Sequence, residues 1–281
     1  MKKFVVAIAI MLALTGAQAQ VRTPQPSPKS TLEQVVGLTN VTVDYSRPSA
    51  KGRRIFGDLV PFGKLWRTGA NSNTIVSFSE DVVIDGKTLK KGKYSIFTTP
   101  KSDNWEVIFY TDTENWGNPE QWSDAKVALK TTAKSENLNR KVETFTIGIN
   151  NLDNDSADLE ISWENTLVAV KFAVPTKKTA LESIKKALSG PTANDYFASA
   201  QYYYQIGDDY KTSLEYINKA LELSSDKPFY YNRLKSLIQA KLGDKKGAIE
   251  TAKISLAAAE AAKNNDYVKM NKDSISEWSK K

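Results

Sequence analysis

The chain has 281 residues, 41% hydrophobic and 25% charged, with a formal net charge of +7. That is the composition of a folded protein with a real core, and the length leaves room for more than one domain. Cysteine and histidine are both absent, which rules out disulfides, a cysteine-linked lipid anchor, a Ser-His-Asp triad and the common zinc and copper sites. No cofactor is expected, and any catalysis would fall to carboxylates, lysine, tyrosine, serine or a hard cation. Basic residues are spread along the chain with acidic ones between, and the one local cluster, Lys51 to Arg54, reads as an ordinary solvated or anion-facing turn, so nucleic acid is not an expected partner.

In chain order, Lys2 and Lys3 precede an apolar run from Phe4 to Leu14 and then Ala17-Gln18-Ala19. This order predicts a secretory signal peptide over residues 1–19, cleaved near Ala19, and hence export to the periplasm or beyond. The run is too short to cross a bilayer and no later one is longer, so no stable membrane span is expected. Residues 20–30, with Pro24, Pro26 and Pro28, read as an extended lead-in.

From 31 to 175 the pattern is short and alternating. Strands are predicted over 41–45, 74–79, 82–84, 93–99, 105–110, 127–132, 142–150, 157–163 and 167–174, separated by turn signals such as Asp85-Gly86 and Lys91-Gly92. Short strands with no helical period between them predict an antiparallel β-sandwich. Asp153-Asn-Asp-Ser-Ala-Asp has the composition of a hard-cation loop but lacks the glycine and distant glutamate of an EF-hand, and it reads as a turn.

At Pro175 the period changes. Residues 176–191 predict a linker helix that stops at Gly190-Pro191, and residues 192–281 an all-α helical-repeat domain. Gly207-Asp208 and Gly243-Asp244 each separate two helical stretches, and Ser213–Leu221 and Ala248–Leu256 occupy equivalent places after them. This resembles the tetratricopeptide pattern, with an extra residue at Asp208-Asp209 and Ser213 where that family usually has alanine. Tyr196, Tyr202, Tyr203, Tyr204, Tyr210 and Tyr216 are expected partly between helices and partly on a concave face that would take a protein partner.

The most unusual stretch runs from Asp44 to Asn71. It concentrates Arg47, Arg53, Arg54 and Arg67, four aromatics, two prolines and four glycines, poor material for a regular element and too aromatic for disorder. A long ordered loop is predicted, and such loops often carry function. Asp44, Arg47, Trp66, Arg67, Thr68 and Asn71 are the candidate ligand-binding residues, since guanidinium groups offer planar paired donors to carboxylate or phosphate. The same residues could equally be internal staples, with Asp44 paired to Arg47 or Arg67. Trp66, Trp105, Trp116 and Trp122 could stack on sugar rings or could be core.

The motifs Asp44-Tyr-Ser-Arg-Pro-Ser, Lys51-Gly-Arg-Arg-Ile-Phe-Gly, Val60-Pro-Phe-Gly-Lys-Leu-Trp-Arg-Thr-Gly-Ala-Asn, Gly92-Lys-Tyr-Ser-Ile-Phe-Thr and Trp116-Gly together resemble the bacterial family called domain of unknown function 2911, whose members are exported. The resemblance covers residues 30 to about 174 and implies no assigned activity. The expectation is a non-catalytic envelope protein that recognises a polar or glycan-like ligand through the loop, or a partner protein. The alternative is a histidine-free, carboxylate-dependent hydrolase or lyase acting on envelope polysaccharide. Asp44, Glu80, Asp81, Asp103, Glu106 and Glu114 are its available carboxylates.

Overall fold

The computed structural model describes residues 23–187 and 190–280; the expected signal peptide lies outside the described residues. The chain divides into two compact units, the first ending at Thr176 and the second beginning at Lys177. The first is an antiparallel β domain and the second is all-α.

The β domain has nine strands among the described residues: β1 (Lys29–Val36), β2 (Thr39–Ser46), β3 (Ile75–Phe78), β4 (Val82–Ile84), β5 (Lys87–Leu89), β6 (Gly92–Pro100), β7 (Asn104–Tyr110), β8 (Val127–Asn150) and β9 (Ser156–Ala173). They hydrogen-bond in the order β1-β2-β3-β6-β7-β8-β9-β4-β5. The long strand β8 organises this order. Its first part, to Lys134, pairs with β7, and its second part, from Ser135, pairs with β9. One strand therefore belongs to both layers of the sandwich, turning the corner through register shifts between Asn137 and Thr146.

The strands differ from the sequence reading in three places. β1 reads KSTLEQVV and shows only a weak burial alternation, because it is an edge strand with a single neighbour; its polarity masked it. β5 is three residues closing a hairpin after Asp85-Gly86. The predicted gaps at 133–141 and 164–166 do not interrupt β8 and β9, since polar residues are tolerated where a strand runs exposed along its partner.

Alternate residues of both layers meet in one apolar core. Val41, Val43 and Tyr45 face it from β2, Trp105, Val107 and Phe109 from β7, and Ile161, Trp163, Val168 and Val170 from β9. β6 and β7 also bury their other face: Phe97, Ile108 and Tyr110 form a second cluster covered by Leu65 and Trp122. This explains the run of five consecutive buried residues from Tyr94 to Thr98. A strand covered on both sides need not alternate.

The helices are α1 (Thr176–Ala187), α2 (Ala193–Ile206), α3 (Tyr210–Leu223), α4 (Phe229–Lys241), α5 (Lys245–Ala261) and α6 (Asn265–Trp278). From α2 onward each packs on the next, and α2–α4 and α4–α6 also touch. Side-chain caps start four of them: Thr192 with Asp195 as a capping box, Asp209, Asp244 and Asn264. The extra residue at Asp208-Asp209 is accommodated by a division of labour: Asp209 caps α3 while Asp208 pairs with Lys177 at 2.6 Å. Ser213 stands where alanine was expected because its hydroxyl donates to Ala200 O across the α2–α3 contact at 2.7 Å. Tyr196 and Tyr203 pack on Tyr216, and Tyr204 on Tyr210, so these rings are spent between α2 and α3.

Tyr45 ties the two layers together, its buried hydroxyl donating to Ile147 O and accepting from Ile147 N–H, both at 3.2 Å. Tyr45→Phe removes that bridge, and equilibrium denaturation should show a loss of about 1–3 kcal/mol. An unchanged stability would mean that the layers are held by apolar contact alone.

Candidate functional site

The segment from Asp44 to Asn71 is an ordered loop nailed to the sheet at several points. Pro48 O accepts from Phe145 N–H, and Ala50 N–H donates to Glu143 O, each at 2.8 Å. Ile55, Phe56 and Val60 are buried in the main core. Trp66 then adds to the edge of β6 like a strand, exchanging backbone hydrogen bonds with Thr98 at 2.8 and 2.9 Å.

Extended backbone sends successive side chains to opposite faces. The Trp66 indole points into the main core, stacked on Trp163 with ring centroids 6.1 Å apart and edge-on to Phe56, Trp105 and Phe145. Leu65 caps the second cluster on the other side. Arg67 leaves the core too, with Nη1 beside Gly117.

The turn after Trp66 is strained. Thr68 is fully buried at φ 55°, an unusual backbone conformation for a β-branched residue. Its carbonyl accepts from Thr74 Oγ1 at 2.5 Å, its hydroxyl meets Thr98 Oγ1 at 3.0 Å, and the Trp66 indole N–H donates to Gly69 O at 3.1 Å. Gly69 has φ 149°, and a Cβ there would lie 3.0 Å from Thr74 Oγ1 and 3.4 Å from Ser46 O. Strain of this kind persists only where the surroundings over-determine it, and it collects at functional sites.

Over this turn lies a cleft of about 590 Å³, lined by Pro26, Ser27, Pro48, Ser49, Lys51, Arg53, Leu59, Val60, Trp66, Arg67, Gly69, Ala70 and Trp163. The volume is that of a small-molecule site. Three lining residues are cationic and none is anionic. Arg53 is committed, donating to Ser49 O at 2.7 Å and Ala50 O at 2.9 Å. Arg67 is not committed: its Nε is buried without an acceptor, and among the described residues it makes no ion pair.

The six candidate residues therefore separate. Trp66 and Arg67 line this cleft. Arg47 is a staple, donating from Nε to Phe145 O at 3.0 Å and from Nη2 to Thr146 Oγ1 at 2.8 Å. Asn71 is another, holding the lead-in through Ser27 O at 3.1 Å. Thr68 is sealed beneath the turn. Asp44 accepts from Thr31 Oγ1 at 2.6 Å across the β1–β2 pair and lines a smaller cleft of about 270 Å³ with Lys29, Ser46 and Asn73.

The tryptophans separate likewise: Trp105 is core, Trp122 stacks on Tyr110, and Trp116 projects into solvent at 76% exposure. Sequence reasoning left out of the candidate set Lys51 and Arg53, whose cluster was visible as basic, and Trp163 and the Pro26-Ser27 wall, for which no local signal exists.

The 111–126 connection backs Arg67. Gly117 N–H donates to Asn73 Oδ1 at 3.1 Å and Asn118 Nδ2 to Leu65 O at 2.9 Å. The Lys126 ammonium, 2.6 Å from Asp112, with the Glu114 N–H, holds the Asp112 carboxyl below its ordinary range. Among the described residues there is no group of three or more acidic side chains placed to hold a metal ion.

Fold and site together define an antiparallel β domain with a cationic cleft over a clamped aromatic floor, followed by a helical domain. The chain belongs to the family described as protein of unknown function DUF2911, which matches residues 27–172. No curated protein and no solved structure matches it.

Gly69→Ala introduces a Cβ into backbone that L-residues avoid and against two oxygens. Denaturation should register a loss of about 1–3 kcal/mol. A change under about 0.5 kcal/mol, the range of ordinary surface substitutions, would mean the turn is not clamped.

Proposed function

We propose that this protein is an exported, non-catalytic binding protein of the cell envelope that takes an anionic, polar ligand such as an acidic saccharide in the cleft over Trp66. The single observation that carries the reading is the Arg67 guanidinium, an uncompensated cation with a buried, acceptorless N–H. Leaving such a donor unsatisfied costs about 1–3 kcal/mol, and since no N–H of this guanidinium has a protein acceptor among the described residues, a bound carboxylate or phosphate would have paired donors to meet. Lys51 adds charge at the rim, and the apolar floor suits the carbon face of a small ring. The hydrolase alternative has less support, because the cleft has no carboxylate in its lining.

The helical domain is read as tetratricopeptide-like pairs that contact a partner protein. Its support is the two glycine-aspartate turns, the small buried residues at the helix contacts, including Ala200, Ser213, Ala248 and Ser255, and the touching of alternate helices.

Titration calorimetry with uronic-acid oligosaccharides and with inorganic phosphate tests the cleft. Arg67→Ala should weaken binding by about tenfold to a hundredfold, the worth of a charge-assisted pair, and Arg67→Lys should recover only part of it, since lysine cannot offer paired planar donors. Binding unchanged in both variants would overturn the assignment. Saccharide cleavage by the wild type that Asp44→Asn abolishes would establish the hydrolase instead.

A further inference from the structure

Beside the cleft, residues 51–64 form a lobe whose inner side is fixed and whose outer side is unexplained. Ile55, Phe56 and Val60 anchor it in the core, and its backbone is closed on itself by Val60 N–H to Ile55 O and Gly57 N–H to Val60 O, each at 2.9 Å. Gly63 N–H ties its far end to Pro100 O at 2.8 Å. A lobe held this firmly does not expose apolar side chains for want of order, yet Leu59 and Phe62 are 45% and 44% exposed.

Phe62 is itself positioned. Its ring packs over Gly57, where a Cβ would come within 2.8 Å of it, and the Arg54 guanidinium reaches to 3.6 Å of the same point. The lobe also carries Lys51, Arg53, Arg54 and Lys64, all exposed, against Asp58 within it and the sheet carboxylates Glu143 and Glu164, which accept from the Lys51 and Ile55 N–H groups. Among the described residues, Lys51, Arg54 and Lys64 have no ion-pair partner.

We infer that this lobe docks the protein on an anionic phospholipid surface, with Leu59 and Phe62 entering the headgroup boundary and the cations reading lipid phosphates. A short apolar tip framed by unpaired basic residues has the two signals that peripheral attachment needs, a small insertion and electrostatic attraction. A protein partner would ask for a broader face, on the order of 800 Å² per side. Such a contact needs no spanning helix, and among the described residues no helix is long and apolar enough to cross a membrane.

The test is sedimentation of the exported chain with vesicles of phosphatidylcholine containing phosphatidylglycerol, and with phosphatidylcholine alone. The wild type should bind only the anionic vesicles, and less at high salt. Phe62→Ser, and separately the pair Arg54→Glu with Lys64→Glu, should each lower partitioning by about tenfold or more while the melting temperature stays unchanged. Neither variant alters a residue that lines the Arg67 cleft, so loss of vesicle binding with saccharide binding intact separates the two sites.

Because Phe62 packs over Gly57, the charge pair, which leaves the ring in place, serves as the independent arm should Phe62→Ser fail to fold. No binding to anionic vesicles at physiological salt would overturn the inference. So would undiminished binding by a folded Phe62→Ser, or by the charge pair, and so would soluble polyglutamate that binds as tightly as the vesicles and depends equally on Phe62, which would assign the lobe to an acidic protein.

Discussion

The contact on which the rest of the β domain's functional face depends is the Trp66 indole lying on Trp163 inside a cage of Phe56, Trp105 and Phe145. Burying a side chain of that size contributes on the order of 1.5–3 kcal/mol, with about 0.5–1.5 more for each well-placed aromatic pair. That is enough to hold an irregular, glycine-rich segment against the sheet and to offset the strain at Thr68. Fixing one residue of an extended segment also fixes its neighbours. With Trp66 turned inward, Leu65 covers the second cluster and Arg67 is carried away from the core, to a place where no acid meets it.

Much of this was legible in the sequence, and the remainder was illegible for identifiable reasons. The period-2 stretches at 41–45 and 168–174 and the period change at Pro175 were enough for a β domain followed by helices. So were the motifs of the loop for the family. Grouping Asp44 with Arg67 was the step that composition could not decide, because nearness along a loop is not nearness in space. Asp44 lies on β2 and its hydroxyl partner on β1, an edge strand whose polar sequence hid it, whereas Arg67 lies beside β6. Arg47 and Asn71 turned to backbone carbonyls of Phe145 and Ser27, long-range partners that no local pattern announces. Trp163 is likewise a strand residue until the two layers close and bring it under Trp66.

The chemistry of the face is consistent from end to end. Backbone hydrogen bonds absorb Arg53 and Arg47, carboxylates such as Glu143 and Glu164 are turned to the backbone N–H groups of Lys51 and Ile55, and what is left over is positive charge with apolar surface beside it. In the cleft that remainder is Arg67, which lines it together with Trp66, and on the lobe it is unpaired lysine and arginine beside Leu59 and Phe62. The two proposals draw on the same imbalance and share Lys51, Arg53 and Leu59, which line the cleft and belong to the lobe, but each is tested at residues of its own, Arg67 for the one and Arg54, Phe62 and Lys64 for the other. The helical domain follows a separate logic, in which caps and small buried residues set close helix contacts and most of the tyrosines are consumed in making them.

The central claim is that the Arg67 guanidinium is held without a protein acceptor by the Trp66 clamp. The most direct measurement is nuclear magnetic resonance of the arginine Nε–H and tryptophan indole N–H groups in the unliganded protein and during phosphate titration. The account predicts a Trp66 indole strongly protected from exchange throughout, and an Arg67 Nε–H, without an acceptor in the free protein, whose resonance shifts as the anion is added. An Arg67 Nε–H resonance indifferent to the anion, or a Trp66 indole that exchanges freely, would contradict it.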